Sequence, residues 1–269
     1  MKIVALTAVN TNPKYLSCVP FFIDYWLSLK PIDRNVVYVP KVLVVANELP
    51  VELSGYSEWC ELLPIRQNIS STFVSQAVRI LRPALEESNY VLTTDVDMLP
   101  MSDRVFQSGL DEIHKGADFI VCRDVLTSNQ YPICYNLASP EVWMRVNGMK
   151  SIEGVFVQLS DWFAGVAENG SYRGDHGGSG WFADQERLYD LVNAFEHLGG
   201  RVVKLVDKQT KHKRLDRLFL PFPLNWLSLP LVSMGFFTDY HVHHPVRKHR
   251  RFIMAVQKMR DSRSKKLGY

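Results

Sequence analysis

Apolar residues fall into short runs closed by polar or turn residues, separated by longer amphipathic stretches. Residues 3–6, 42–46, 90–93 and 119–121 are apolar, β-branched runs, the pattern of strands covered on both faces. Between them the pattern turns helical. From about 72 to 82, Phe73, Val74, Ala77, Val78, Ile80 and Leu81 share one side, Ser70-Ser71 offers a start signal and Pro83 ends the stretch. A second helix is expected from about 184 to 198, after a glycine-rich loop over 169–180. Gly199-Gly200 stops it, and the chain resumes a strand over 201–206.

This alternation predicts an α/β fold, a Rossmann-like mixed sheet, mostly parallel and flanked by helices in a single domain, with ligands bound outside the carboxyl ends of its strands. Thr7-Ala8-Val9-Asn10-Thr11 stands where a GxGxxG would follow the first strand, which disfavours a dinucleotide oxidoreductase. The composition, 46% hydrophobic and 22% charged over 269 residues, is that of an ordinary globular chain. Cys18, Cys60, Cys122 and Cys134 are scattered without metal or disulfide-framework spacing, so a reducing, cytoplasmic setting is expected. The opening MKIVALTAVN reaches polar residues too early for a signal-peptide core. The apolar stretch 218–237 is broken by Pro221, Pro223 and Pro230, which argues against a membrane span.

No nucleic-acid partner is expected; net charge is only +3, but Arg247, Lys248, Arg250, Arg251, Lys258, Arg260, Arg263, Lys265 and Lys266 crowd the end of the chain. That end is either a solvated basic face or a contact for a diphosphate or an anionic membrane surface.

The strongest chemical signal is Tyr90-Val91-Leu92-Thr93-Thr94-Asp95-Val96-Asp97, an apolar strand that runs straight into two carboxylates. Charges at that place are costly unless something pairs them. Oxygen ligands at a strand end suit Mn²⁺ or Mg²⁺, which also bridges to substrate phosphates.

With the preceding Ala77-Val78-Arg79-Ile80-Leu81-Arg82-Pro83, this segment resembles GT-A glycosyltransferases, especially the group containing glycogenin and the bacterial lipopolysaccharide galactosyltransferases. Tyr135-Asn136-Leu137-Ala138-Ser139, Trp181-Phe182-Ala183-Asp184-Gln185 and Asp239-Tyr240-His241-Val242-His243-His244-Pro245-Val246-Arg247-Lys248 are similar to further motifs of that group, in the same order. The match is a set of separated motifs over roughly 3–248. It departs from the group at Thr93-Thr94, where Tyr-Leu is usual, and in the late motif, which lacks its glycine and Pro-Trp ending.

The resemblance implies a GT-A catalytic domain over 1–248, with a nucleotide-binding half of about 1–125, a sugar and acceptor half of about 126–248, and a basic helix or tail over 249–269. It implies a nucleotide-sugar donor, with UDP favoured, and a glycan or other hydroxyl acceptor. Thr7, Ala8, Asn10, Arg79, Asp95, Asn136, Gln185, Arg247 and Lys248 are then donor contacts. Asp95, Asp97 and a late histidine are metal ligands. On an extended strand Asp239, His241 and His243 share a face and His244 points away, so His241 and His243 are the candidates, with His241 preferred for its spacing to Arg247.

Asp184 and Asp175 are candidates for work on the sugar, while a carboxylate at a helix start or in a glycine-rich loop is also ordinary local chemistry. A haloacid-dehalogenase-like phosphohydrolase shares the strand-DxD signature, but that family wants Thr or Val where Leu99 stands. A sugar nucleotidyltransferase is disfavoured because its glycine-rich, arginine-containing opening is missing. A catalytically silent nucleotide-sugar-binding protein remains a third alternative.

Overall fold

The computed structural model of the chain describes residues 1–66, 68–126, 129–167, 172, 180–217 and 223–266. In chain order its elements begin β1 (Lys2–Asn10), α1 (Pro13–Leu16), α2 (Val19–Leu27), β2 (Val37–Val45), β3 (Cys60–Leu63), α3 (Ser71–Leu81), β4 (Tyr90–Thr93), β5 (Met98–Pro100), α4 (Arg104–His114) and β6 (Phe119–Val121). They continue with β7 (Asn136–Ala138), α5 (Pro140–Asn147), α6 (Ile152–Ala167), α7 (Ala183–His197), β8 (Val202–Lys204), α8 (Asp207–Thr210), β9 (Arg214–Leu215), α9 (Leu229–Ser233), β10 (Asp239–His241) and α10 (Val246–Lys266).

The expected mixed sheet is present, in the order β3-β2-β1-β4-β7-β6-β8. β2, β1 and β4 run parallel, as do β3 with β2 and β8 with β6, while β7 is antiparallel to both its neighbours. The first strand is longer than its most apolar stretch because β2 pairs it from Lys2 to Asn10. Its alternation divides the core. Ile3, Ala5 and Val9 face the layer of α2, α4 and α10, while Val4, Leu6 and Ala8 face the layer of α3, α5, α6 and α7.

The chain builds outward from β1 through β2 to β3, then crosses to place β4 on the other side of β1. That reversal leaves a crevice beyond the carboxyl ends of β1 and β4, where sheets of this kind bind ligands. A smaller sheet, β5-β10-β9, closes one side of the crevice, with β10 antiparallel to β5 and parallel to β9.

The basic end of the chain is the helix α10. Its inner face, Phe252, Ile253 and Val256, is buried in the first core layer, and Tyr25 Oη donates to the Ile253 carbonyl at 3.0 Å. Arg247, Lys248, Arg250, Arg251 and Lys258 lie exposed on it. Among the described residues no helix is long and apolar enough to cross a membrane, and the four cysteines are unpaired thiols.

Candidate functional site

A cavity of about 360 Å³ opens over the crevice. Ala8, Asn10, Arg79, Asp95, Asp97, Asp184, Gln185 and His241, all singled out from sequence, line it together. β1 delivers Ala8 and Asn10. The Asn10 side-chain amide donates to Thr72 Oγ1 at 3.2 Å and its carbonyl accepts from the Asn12 N–H at 3.1 Å, which ties the strand end to the start of α3 and to the following turn.

β4 stays paired to β1 until just before the acidic turn, where the Thr94 N–H donates to the Leu6 carbonyl at 2.9 Å. The two carboxylates then diverge. Asp95 pairs with Arg79, whose other nitrogen reaches Asp184 Oδ2 at 2.9 Å. Arg79 is thus a buried bridge between the acidic turn and the first turn of α7. Burial works against its charge, and Asp95 and Asp184 hold its pKa above the usual value. The Asp184 carboxyl is pushed up to about 6, mainly by burial, with the Asp95 charge adding and Arg79 opposing.

Asp97 faces the small sheet. His244 Nε2 lies 3.1 Å from its Oδ2, His241 Nε2 3.4 Å and Arg217 Nη1 3.5 Å. Burial would raise the Asp97 pKa, but bonds from both histidines hold it far below the usual carboxylate range. Pairing of β5 with β10 sets this convergence, since it puts His241 opposite Met98, and the Val242 N–H donates to the Asp97 carbonyl at 2.9 Å. His241 Nδ1 rests on Asp216 Oδ2 at 3.1 Å, which orients the ring.

Several expected site residues stand elsewhere than the sequence pattern placed them. His243 does not share the face of His241, because β10 ends at His241 and strand alternation ends with it. His243 is buried instead, with Nδ1 3.0 Å from Tyr240 Oη and its ring against Phe252 and His249. His244, expected to point away, is the neighbour of Asp97. Arg247 and Lys248 sit exposed in the first turn of α10 and do not line the cavity, whereas Arg217 does. Thr7 is fully buried beneath the site and is no part of its lining. Asp175 lies outside the described residues.

Asn136 is also fully buried and off the cavity wall. Its amide donates to the Pro132 and Ile133 carbonyls at 2.8 and 2.9 Å and to Thr93 Oγ1 at 3.2 Å, so it braces the turn that enters β7. Asn136→Ala should therefore lower stability by about 2–3 kcal/mol, a fall in melting temperature of roughly 4–12 °C. Nucleotide affinity of the folded variant should be unchanged. A melting curve beside a nucleotide titration checks this, and lost affinity at an unchanged melting temperature would make Asn136 a ligand contact.

No short motif announced Asn12, Tyr15, Thr72, Gln76, Arg123, Arg214 or Arg217, which also line the cavity. They are polar or basic residues that the fold brings in from the α1 region, from α3, from the end of β6 and from β9 and the residues after it.

No protein-family model matches the chain, and no curated protein matches it. Among solved structures, it is similar to the apo form of mouse xyloside xylosyltransferase 1 at 12% identity and a TM-score of 0.45, over 91% of this chain and 98% of that one. It is similar to the apo-form glycosyltransferase GlyE of Streptococcus pneumoniae TIGR4 at 12% identity and a TM-score of 0.45, over 91% of this chain and 55% of that one. The galactosyltransferase LgtC in complex with donor and acceptor sugar analogs gives 14% identity and a TM-score of 0.42, over 97% of this chain and 96% of that one. Likeness of this degree leaves the function to the geometry of the site.

Proposed function

We propose that the chain is a GT-A type, metal-dependent glycosyltransferase that moves a sugar from a nucleotide-sugar, by preference a UDP-sugar, to a hydroxyl group of a glycan or other acceptor. One observation carries the reading. The crevice at the switch point of the sheet gathers Asp95 and Asp97 with two imidazoles on one side and the Arg79–Asp184 pair on the other.

The donor types present, carboxylate oxygen and imidazole nitrogen, would suit Mn²⁺, while Mg²⁺ would rely on the carboxylates alone. The imidazole nitrogens of His244 and His241 lie 3.1 and 3.4 Å from the same Asp97 carboxylate oxygen, so the donors that would hold an ion stand side by side. His241 also carries the outer carboxylate, Asp216, that metal-bound histidines use. Among the described residues no three of these side chains already stand in coordinating geometry, and Arg79 and Arg217 supply the positive charge that the two aspartates face. Asp97, His241 and His244 would hold the ion, with Asp95 as a further oxygen donor. A divalent ion held by these residues would supply positive charge for the leaving diphosphate, without proton transfer.

The remaining roles belong to the protein. Arg217, close to Asp97, is placed to share the charge of the leaving diphosphate. Asn10, Asn12 and Thr72 offer hydrogen bonds at the β1 end of the cavity, the side suited to the nucleoside. Asp184, held by Arg79, accepts hydrogen bonds from the sugar as an ionised carboxylate. Calorimetric titration with UDP, GDP and Mn²⁺ followed by a donor-hydrolysis screen tests the reading. Tighter GDP than UDP binding would overturn the donor base, and absence of both nucleotide binding and hydrolysis would overturn the enzyme.

A pH dependence follows from Asp184. With its pKa at about 6, kcat/KM should fall as pH drops through that value and the acceptor carboxylate is protonated. In Asp184→Asn that acid limb should flatten and turnover should drop about a hundredfold, with UDP affinity nearly unchanged. An equal loss of turnover and nucleotide binding, or of melting temperature alone, would reduce Asp184 to a helix-start residue.

A further inference from the structure

Two cavity arginines take no part in the acidic floor. Arg123 follows β6 and Arg214 lies on β9, and both line the same wall as Ile133 and Cys134. Each is held from behind by a carboxylate. Arg123 donates Nε and Nη2 to the two oxygens of Asp207 at 2.8 and 2.7 Å, while Arg214 donates Nε and Nη2 to Asp239 Oδ2 at 3.1 and 3.0 Å. His212, fully enclosed, joins the two carboxylates, with Nε2 3.0 Å from Asp239 and Nδ1 3.5 Å from Asp207. The result is one chain, Arg123–Asp207–His212–Asp239–Arg214, whose ends face the cavity.

Such a network is expensive to bury and adds little stability by itself. What it does is aim two guanidiniums. The carboxylates take Nε and Nη2 of each fork, and among the described residues Nη1 of Arg123 and of Arg214 has no hydrogen-bond partner. Burial works against the Arg123 charge and the nearby Arg214 adds repulsion, yet Asp207 keeps Arg123 firmly protonated. Two like charges on one wall, neither needed by Asp95, Asp97 or Asp184, lower their mutual repulsion when an anion sits between them.

We propose that Arg123 and Arg214 form an anion clamp for a carboxylate or phosphate borne by the sugar handled in this cavity, so that either the donor sugar or the acceptor is acidic. This rests on the cavity being a sugar-transfer site. The orienting carboxylates, the bridging histidine and the apolar Ile133 beside the clamp suit a sugar ring carrying one charged substituent.

Binding of paired neutral and acidic sugars tests it. Wild-type protein is titrated calorimetrically with methyl β-glucoside, methyl β-glucuronide and glucose 6-phosphate, each with and without UDP and Mn²⁺. UDP-glucose is compared with UDP-glucuronate in a parallel arm. At least one acidic member should bind about tenfold or more tightly than its neutral partner, the scale of one charge-assisted hydrogen bond. A preference in the nucleotide-sugar arm assigns the charge to the donor, and one in the free-sugar arm assigns it to the acceptor.

The preference should collapse in Arg123→Gln. If that variant does not fold, Arg123→Gln combined with Asp207→Asn removes both charges of the pair and serves instead. Equal binding of neutral and acidic sugars in both arms, or a preference that survives the substitution, overturns the clamp. The UDP titration reads the nucleotide site independently, so acid preference without UDP binding would sink the transferase reading and leave the clamp standing.

Discussion

Asp97→Ala is expected to abolish Mn²⁺-dependent sugar transfer, lowering kcat/KM about a thousandfold or more while the protein stays folded. The carboxylate is the point where His241, His244 and Arg217 meet, so its loss removes the oxygen around which the proposed ion site is built. Losses of 10² to about 10³ are usual when one preorganised electrostatic group is deleted, and a shared ligand is worth at least that. Asp97 is buried and paired, so some stability is lost, but it ends a turn rather than filling a core layer, and the fold should persist. Asp97→Asn keeps the shape and removes only the charge. If that variant still turns over in EDTA at the wild-type rate, the metal model is wrong. UDP affinity measured without metal should change less than about threefold, which separates loss of the ion from collapse of the nucleotide site.

The second large effect is on stability. Arg79→Met should cost about 3–5 kcal/mol, the usual result of removing one partner from a buried ion pair. Asp184 has only 4% of its side chain exposed and depends on Arg79 for its counter-charge. A fall of roughly 6–20 °C in melting temperature is expected for a domain of this size.

The deficit should vary with pH in a definite direction. Burial already holds the Asp184 pKa at about 6, above its ordinary value, so its contribution to stability is present at low pH and lost as pH rises through the folded value. Without Arg79 that value rises further, and the deficit should be widest above about pH 6 and narrow toward pH 4. Urea melts at about pH 5 and pH 8 report this. A deficit independent of pH would mean that Arg79 acts by packing alone. Replacing both partners by apolar residues, Arg79→Met with Asp184→Leu, should recover most of the loss, because a well-packed apolar pair avoids desolvating charge.

Much of the architecture was legible along the chain. Continuous apolar runs marked β1, β4 and β6 because strands covered on both faces have no polar side to show. One-sided spacing located α3 to within a residue, and Gly199 ended the α7 segment where a positive φ of 91° was needed. The acidic turn was legible for the same reason, since two carboxylates directly after a buried strand conflict with their surroundings unless they have a use.

The histidines show where that kind of inference stopped. A period of two holds only while the strand continues, and β10 stops at His241, so the directions of His243 and His244 were set by irregular backbone that strand alternation does not describe. The cations divided in the same way. The dense basic run of α10 pointed to Arg247 and Lys248, yet those residues face outward, while Arg123 comes to the cavity from the end of β6 and Arg214 and Arg217 from β9 and the residues after it. Local periodicity reports which face of an element is apolar. Which solitary side chains meet across a cavity is set by strand pairing between segments more than a hundred residues apart, as in β5 with β10, and that information resides in no window of the sequence.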